Sequence, residues 1–209
     1  MKLYWLPLSP NSFTVTAVAD YLGVPLEKIA VDVIKGEQKT PEFLKVNPNG
    51  KCPTLVDGDF YLWESNAILM YLCSKKPGGS ELWPADEKTR IDISRWLIWQ
   101  QAHWMRGCAS LMWERVIKGF FGAGAPNPEK EKEGEDSVKF HAAVLNQSLE
   151  GKNYLVNNKL SIADFAVAAP FPLAKVARLP LEGFPNLTRW YQQIAALEPW
   201  RKNLPNLPM

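Results

Sequence analysis

Three short segments in the first third of the chain place polar side chains beside breaks in predicted strands and helices. Ser9 lies between a predicted strand and a predicted helix, so its hydroxyl can sit at the helix start. Glu64 and Ser65 open a later helix, where unpaired amide protons and the positive end of the helix dipole favour an anion. Cys52-Pro53 leads directly into a strand, although proline has no amide proton for a strand ladder. These residue types offer hydrogen bonding to a bound anion.

The elements that must hold these segments alternate between strands and helices. The sequence predicts strands at residues 2–5, 27–33, 54–56 and 60–62, and helices at residues 13–22, 42–46 and from 64 onwards. Asp57-Gly58 favours a tight hairpin between the last two strands, because these residues tolerate a positive φ. The predicted order is βαβαββα, an α/β domain.

A change of pattern marks the end of this alternating region. Residues 75–84 are rich in Lys, Pro, Gly and Ser, and beyond them only helical periodicity is found. We therefore predict a first domain at residues 1–78, a linker at 79–86 and an all-helical domain at 87–209. Its helices are expected near residues 86–118, 129–136, 137–149, 161–177 and 187–196, with Gly107 as a candidate kink in the first.

One compound motif adds a family resemblance to this reading. NPNGKCPTL at residues 47–55, DGD at 57–59 and ESNAIL at 64–69 resemble, in order, spacing and chemistry, the glutathione-site core of the cytosolic glutathione transferases. The serine-type theta and phi classes match best. The resemblance implies a thioredoxin-like first domain, an all-helical second domain, a homodimer, and glutathione as co-substrate.

The resemblance also implies which residues contact glutathione. They are Gln38, Lys39, Lys51, Cys52, Pro53, Glu64 and Ser65. A cis bond before Pro53 would leave the Cys52 backbone to pair with the cysteinyl backbone of glutathione, and the Cys52 thiol would be incidental. Ser65 would donate to the γ-glutamyl carboxylate, and Glu64 would receive the ammonium group. Lys39 would supply a point charge for the glycyl carboxylate.

In this family the glutathione thiolate is the nucleophile, so the protein must favour the anion over the thiol. A thiol with a pKa of about 8.5 is only a few per cent ionised near neutrality. Lowering that pKa by about 2 units needs about 2.7 kcal/mol, which one hydrogen bond to a charged group can supply. Ser9 is our first choice for the donor. Asn11, Tyr4 and Ser12, the last with an alternative role as helix cap, remain open.

The second domain carries a candidate electrophile pocket and a candidate helix cap. Trp99, His103 and Arg106 recur at helical spacings and could form one wall for a flat, small hydrophobic electrophile. Of the four tryptophans in this helix, we expect at least two to be ordinary packing. Ser161 and Asp164 have the spacing of a helix cap, so we expect Asp164 to serve folding rather than catalysis.

Composition excludes several other classes of function. The chain has 209 residues, and its 24 basic and 22 acidic residues leave a net charge of +2, too balanced for a nucleic-acid partner. No apolar stretch approaches a membrane span or a signal peptide, so we expect a cytoplasmic protein and no membrane partner. Three cysteines without CxxC spacing favour neither a disulfide framework nor a metal site.

Three functions fit these observations. The first is conjugation of glutathione to a small electrophile, with peroxide reduction by the same thiolate as a further activity. The second is a non-catalytic interaction module of the same fold. The third is a glutathione-dependent isomerase or dehalogenase. The presence of Ser9, Gln38, Pro53, Glu64 and Ser65 together favours catalysis.

Overall fold

The structure is a computed structural model and describes residues 1–76 and 80–205. The chain divides into a first unit, Met1–Ala85 with the segment from Leu197, and a second unit, Asp86–Ala196. The predicted boundary between residues 78 and 79 lies outside the described residues. The sequence assigns residues 197 onwards to the helical domain, but here they group with the first unit. The reason is the fully buried Trp200, whose ring packs edge-on against Phe13 with centroids 5.0 Å apart.

A four-stranded sheet forms the centre of the first unit. Its strands are β1 (Lys2–Trp5), β2 (Glu27–Ala30), β3 (Thr54–Asp57) and β4 (Phe60–Trp63). Their order in the sheet is β2-β1-β3-β4; β1 and β2 are parallel, and the other two pairs are antiparallel. The predicted β3–β4 hairpin is confirmed, and Gly58 provides the positive φ of 64° at its turn.

Helices complete the predicted order of the first unit. They are α1 (Pro10–Leu22), α2 (Pro41–Val46) and α3 (Ser65–Ser74), with a 3₁₀ turn at Glu37–Lys39 before α2. Pro10 occupies the first position of α1, and Gly23 ends it with a φ of 69°, because glycine tolerates the left-handed conformation at a helix end. The order βαβαββα predicted from the sequence is confirmed.

The second unit begins with a long helical segment that is interrupted twice. Its parts are α4 (Glu87–Trp99), a π turn (Gln100–Trp104), α5 (Met105–Met112), a second π turn (Trp113–Ile117) and α6 (Lys118–Phe120). The candidate kink at Gly107 lies within the regular part of α5. A Cβ at Gly107 would lie 2.8 Å from Ser137 Oγ, so this glycine permits a close approach between helices.

The remaining helices differ from the sequence expectation in length. They are α7 (Pro128–Ser148), α8 (Ile162–Ala168), α9 (Pro185–Ala196) and, in the first unit, α10 (Glu198–Lys202). The charged run 129–136 is continuous with the next predicted helix, and both form α7. α8 ends before residue 177 because Pro170 and Pro172 lack the amide protons that would continue it. In the described part of the second unit, the β structure is an isolated bridge between Val156 and Lys159.

Candidate active site

The strand register brings four chain segments to one end of the sheet. Tyr4 of β1 pairs with Thr54 of β3, and Thr54 pairs with Trp63 of β4. β1 and β4 therefore end where β3 begins, and the parallel strand β2 ends beside β1. The segments at this end carry the predicted residues Ser9, Gln38, Lys39, Lys51, Cys52, Pro53, Glu64 and Ser65. Residues far apart in the chain thus lie at the same end of one sheet.

Ser9 is the N-cap of α1. Its backbone is extended, with φ −80° and ψ 123°, and its Oγ accepts a long hydrogen bond of 3.4 Å from Ser12 N. A hydroxyl that accepts one hydrogen bond still has its own proton to donate. The half-buried Ser9 hydroxyl therefore lies at the positive end of a helix with a donor available for an anion.

The three alternatives to Ser9 have different surroundings. Ser12 is completely buried, and its Oγ accepts a hydrogen bond of 3.2 Å from Leu6 N, so it holds the β1–α1 connection instead of capping the helix. The Tyr4 ring packs edge-on against Phe43 of α2, with centroids 5.7 Å apart. Asn11 is half-buried in the first turn of α1. Asn11 and Tyr4 stay alternative donors, because the ring contact does not engage the Tyr4 hydroxyl, whereas Ser12 is fully buried.

A buried asparagine that the sequence analysis overlooked holds the loop before β3. Asn47 Nδ2 donates to Lys51 O at 2.8 Å and to Thr54 Oγ1 at 2.9 Å. Asn47 Oδ1 accepts from Asn49 N at 2.9 Å. Because one side chain ties both ends of the loop together, it fixes the backbone on either side of Cys52. The signal was available in the sequence as the asparagine that opens the NPNG segment after α2.

Cys52 and Pro53 enter β3 through a cis peptide bond, as the resemblance implies. Pro53 is buried and Cys52 is half-buried. Burial raises the pKa of the Cys52 thiol to about 11, since the thiolate would lose hydration without gaining a cationic partner. The Cys52 thiol is therefore protonated at neutral pH and is a poor nucleophile.

Gln38 lies in the 3₁₀ turn and packs next to the loop that carries Lys51. A Cβ at Gly50 would lie 3.0 Å from Gln38 O, and Gly50 has a φ of 61°, so only glycine fits without strain. Gln38 Nε2 makes a long contact of 3.5 Å with Val33 O. Gln38 Oε1 is buried and has no hydrogen-bond partner among the described residues. A buried acceptor of this kind calls for a donor from outside the chain.

The start of α3 combines strain with an anion-binding geometry. Glu64 is its N-cap and has a φ of 70° and a ψ of 112°, a conformation that costs a residue other than glycine about 1–3 kcal/mol. Its side chain is exposed, and Ser65 is buried at the first helical position. The amide groups of this first turn have no partner within the helix, so they can receive a carboxylate.

The tryptophans of the second unit form an aromatic cluster. Trp96 and Trp104 are buried, and Trp104 Nε1 donates to Val167 O at 3.0 Å, so both are structural, in line with the expectation that at least two would be packing. Trp99 is half-buried, and its ring contacts Trp96 edge-on at 5.1 Å between centroids. Of these three, Trp99 keeps the most exposed aromatic surface.

His103 and Arg106 lie on a polar groove within the second unit, which we call the α5–α7 groove. The groove has a volume of about 340 Å³, and its polar lining consists of His103, Arg106, Ser110, Glu133, Ser137 and His141. His141 was not predicted from the sequence, where its distance from His103 along the chain conceals their contact. Ligand pockets for apolar molecules are mostly lined by hydrophobic side chains, so this lining differs from the expected electrophile wall.

Two further features bear on the predicted exclusions. Among residues 1–76 and 80–205, no group of three His, Cys, Asp or Glu side chains is placed to hold a metal ion. Within the same ranges, no helix is both long and apolar enough to cross a lipid bilayer.

Comparisons with known proteins agree with this architecture. The N-terminal domain model of glutathione S-transferases matches residues 1–74, and the C-terminal domain model matches residues 111–198. Glutathione S-transferase D7 of Drosophila melanogaster is 32% identical over 99% of this chain and 90% of its own length. The chain belongs to the glutathione S-transferase family. Its thioredoxin-like first domain and helical second domain, predicted from the sequence, are thereby confirmed.

Solved structures give the same result. Glutathione S-transferase III in its apo form is 30% identical, with a TM-score of 0.85 and coverage of 100% of this chain and 98% of that chain. Ure2p in complex with glutathione is 25% identical, with a TM-score of 0.88 and coverage of 97% of both chains. The family binds glutathione, and one of these neighbours was solved with glutathione bound.

Proposed function

We propose that this protein is a glutathione transferase that ionises the glutathione thiol with the Ser9 hydroxyl and conjugates the thiolate to a small apolar electrophile. The observation that carries the proposal is the Ser9 hydroxyl at the start of α1, which accepts one weak backbone bond and keeps its proton for an anion. The thiolate attacks the electrophilic carbon and forms a carbon–sulfur bond. The leaving group departs with its electron pair, and the thiol proton passes to solvent.

The other segments at this end of the sheet would hold the glutathione molecule. The first turn of α3, with Ser65, would bind the γ-glutamyl carboxylate, and Glu64 would accept from the ammonium group. The Cys52 backbone would pair with the cysteinyl backbone. The unpaired Gln38 Oε1 would accept from a glutathione amide, which would satisfy a buried acceptor that the chain leaves without a partner.

Two lysines would serve the glycyl end of glutathione. Lys39 follows Gln38 in the 3₁₀ turn, and Lys51 precedes Cys52 on the adjoining loop; both side chains are exposed. A lysine ammonium is a flexible point charge, so either can approach the terminal carboxylate without fixed geometry.

Of the three residues predicted to contact the electrophile, we propose this role only for Trp99. Trp99 offers a half-buried aromatic surface suited to a flat apolar molecule. We leave His103 and Arg106 out of this role, because they line the polar α5–α7 groove.

Exposed apolar side chains support a homodimer. The edge strand β4 exposes Phe60, Tyr61 and Trp63, each by 41–50%. On α4, Ile91 and Ile98 are 66% and 68% exposed and lie two turns apart on one face. Apolar patches of this kind mark protein interfaces. We also propose a cytoplasmic location, in keeping with the family resemblance.

The decisive experiment measures the ionisation of bound glutathione. Calorimetry would determine glutathione affinity for the wild type and for Ser9→Ala, and thiolate absorbance across pH would determine the thiol pKa in each complex. Loss of a hydrogen bond worth about 1.5–3 kcal/mol should raise the pKa of the bound thiol by about 1–2 units, while binding persists.

Ser12→Ala is the matched control, because it removes the neighbouring hydroxyl that bonds to Leu6 N. It should lower stability and leave the thiol pKa unchanged. Equal thiol pKa values in wild type, Ser9→Ala and Ser12→Ala would reject both serines as the activating group and leave Asn11 or Tyr4. Failure of the wild type to bind glutathione would reject the enzyme itself.

A further inference from the structure

The segment at residues 31–36, which we call the β2 loop, joins β2 to the 3₁₀ turn that carries Gln38 and Lys39. Two hydrogen bonds connect Asp32 of this loop to Glu37, the first residue of the turn. Glu37 N donates to Asp32 O at 3.1 Å, and Asp32 N donates to Glu37 Oε2 at 2.7 Å. The second bond is charge-assisted, because its acceptor is a carboxylate. The Glu37 side chain therefore holds the β2 loop closed.

Further hydrogen bonds hold the interior of the β2 loop and its attachment to the sheet. Asp32 Oδ1 accepts hydrogen bonds of 3.0 Å and 3.1 Å from two backbone amides inside the loop. Val31 N donates to Trp5 O at the end of β1, at 3.0 Å. Because β1 leads directly to Ser9, a continuous series of hydrogen bonds connects the end of this strand with the 3₁₀ turn.

The charge of Glu37 does not suit a site that binds an anion. Lys39, in the same 3₁₀ turn, would receive the glycyl carboxylate, and glutathione carries one more carboxylate than ammonium groups, so it is a net anion. A carboxylate close to that site repels glutathione by Coulomb's law. Any benefit that Glu37 brings to glutathione binding must therefore come from the geometry that its hydrogen bond to Asp32 N imposes.

The β2 loop determines where the Gln38 side chain lies. Gln38 Nε2 is 3.5 Å from Val33 O of the loop, and the buried Gln38 Oε1 has no hydrogen-bond partner among residues 1–76 and 80–205. A 3₁₀ turn of three residues has few hydrogen bonds of its own, so its orientation depends on the segments that flank it. Without the bond from Glu37, the turn would sample more orientations, and Gln38 Oε1 would spend less time where a ligand can donate to it.

We propose that Glu37 is a positioning residue for glutathione binding, which acts through Gln38 and does not itself touch the ligand. The inference rests on the proposed function of the site. Glu37 holds the β2 loop closed in the free protein, so the Gln38 acceptor is in place before glutathione binds. Such preorganisation raises affinity, because the measured dissociation constant is the intrinsic constant divided by the fraction of molecules in the competent conformation.

The first arm of the test separates geometry from charge with two substitutions at one position. Glu37→Ala removes the charge and the acceptor, whereas Glu37→Gln removes the charge and keeps an oxygen that can accept from Asp32 N. In calorimetry with the full-length protein, Glu37→Ala should bind glutathione about fivefold or more weakly than wild type, and Glu37→Gln should stay within about twofold of it. Equal affinities of the two variants, or an affinity of Glu37→Ala equal to that of wild type, would overturn the proposal.

Glu42→Ala is the matched control, because Glu42 is an exposed carboxylate in the first turn of α2, close to Glu37 in the chain. It should bind glutathione at least as tightly as wild type, and a loss equal to that of Glu37→Ala would contradict the proposal. Thiolate absorbance across pH supplies a second measurement. The pKa of the bound thiol should be the same in wild type and Glu37→Ala, since Ser9 and the start of α1 are unaltered. A raised thiol pKa in Glu37→Ala would indicate general disruption of the site and overturn the specific role.

The last arm tests whether Glu37 acts through Gln38. Gln38→Ala should itself weaken glutathione binding, and adding Glu37→Ala to it should cause a further loss of less than about twofold, because no acceptor is left to position. Losses that multiply would overturn the route through Gln38. Failure of the wild type to bind glutathione would overturn the proposed function and this inference together, whereas normal wild-type binding with an unchanged Glu37→Ala would overturn this inference alone.

Discussion

Asp164 is a fully buried carboxylate at the start of α8, and its ionisation should control how stability depends on pH. Its two oxygens accept hydrogen bonds from Ser161 N at 2.9 Å, Ser161 Oγ at 3.1 Å, Leu155 N at 3.0 Å and Trp190 Nε1 at 2.9 Å. Burial nevertheless raises the pKa of Asp164 from 3.8 to about 6, because these donors do not fully replace hydration.

The size and sign of the effect follow from that pKa. A rise of about 2 units corresponds to about 3 kcal/mol between the two protonation states. The folded protein holds the proton more tightly than the unfolded chain, so the stability that the protonated Asp164 confers is complete below pH 3.8. It is lost as the pH rises through about 6.

Asp164→Asn is the informative substitution because it cannot ionise. The side-chain NH₂ group of the variant replaces one carboxylate oxygen, so two of the four surrounding donors face a donor instead of an acceptor. Leaving these two donors unsatisfied lowers the free energy of unfolding by about 2–6 kcal/mol in total. Near neutral pH the ionisation of Asp164 has lowered the stability of the wild type by about 3 kcal/mol, which offsets this cost in the comparison. The variant should therefore be much less stable than wild type near pH 4, and the difference should shrink as the pH rises from about 4 to about 6 and stay constant above that.

Urea unfolding of both proteins across this pH range measures the difference directly. All four donors belong to the second unit, so the folded variant should bind glutathione like wild type. A stability difference that does not change with pH would refute the raised pKa of Asp164. A loss of glutathione binding by well-folded Asp164→Asn would refute the assignment of this residue to folding alone.

Two further substitutions test the packing around the site and within the second unit. Gly50→Ala should cost about 1–3 kcal/mol and weaken glutathione binding, because its Cβ would press on Gln38 O. Gly58→Ala, at a similar φ with open space around it, should cost comparable stability and spare binding in calorimetry; equal binding by both variants would contradict this reasoning. Arg115→Met should cost about 3 kcal/mol in thermal unfolding, since it removes a buried guanidinium that bonds two carboxylates and two carbonyls. Arg115→Lys should recover only part of that loss, and full recovery would argue against a role for the planar guanidinium.

The first unit could be predicted well because its signals are local. The Asp57-Gly58 turn, the proline before β3 and the helix start at Ser65 each mark a boundary within a few residues. Asn47 was missed because its importance depends on hydrogen bonds to Lys51 and Thr54, which become its neighbours only after the loop folds back. A helix-cap role was considered for Ser12, whereas the N-cap of α1 is Ser9; both serines have cap-forming side chains, so the sequence does not separate them.

The second unit was harder because its helices are defined by contacts between distant segments. Two separate helices were expected at residues 129–136 and 137–149, yet α7 is continuous, and Gly134 within it allows the close packing against Leu111. The contact between the His103 and His141 rings also cannot be predicted from the sequence, because the two residues lie on different helices far apart in the chain. Neither π turn has a composition that distinguishes it from the flanking α-helix.

The π turns at Gln100–Trp104 and Trp113–Ile117 also bear on how this long helix can change during evolution. Each adds one residue to a turn, so the helix that follows is rotated by about 100° relative to an uninterrupted α-helix. Removing one residue from the first π turn would restore α-helical hydrogen bonding and rotate Arg106 away from α7. A single insertion or deletion here can thus change which side chains of the long helix face α7, while the helix itself stays intact.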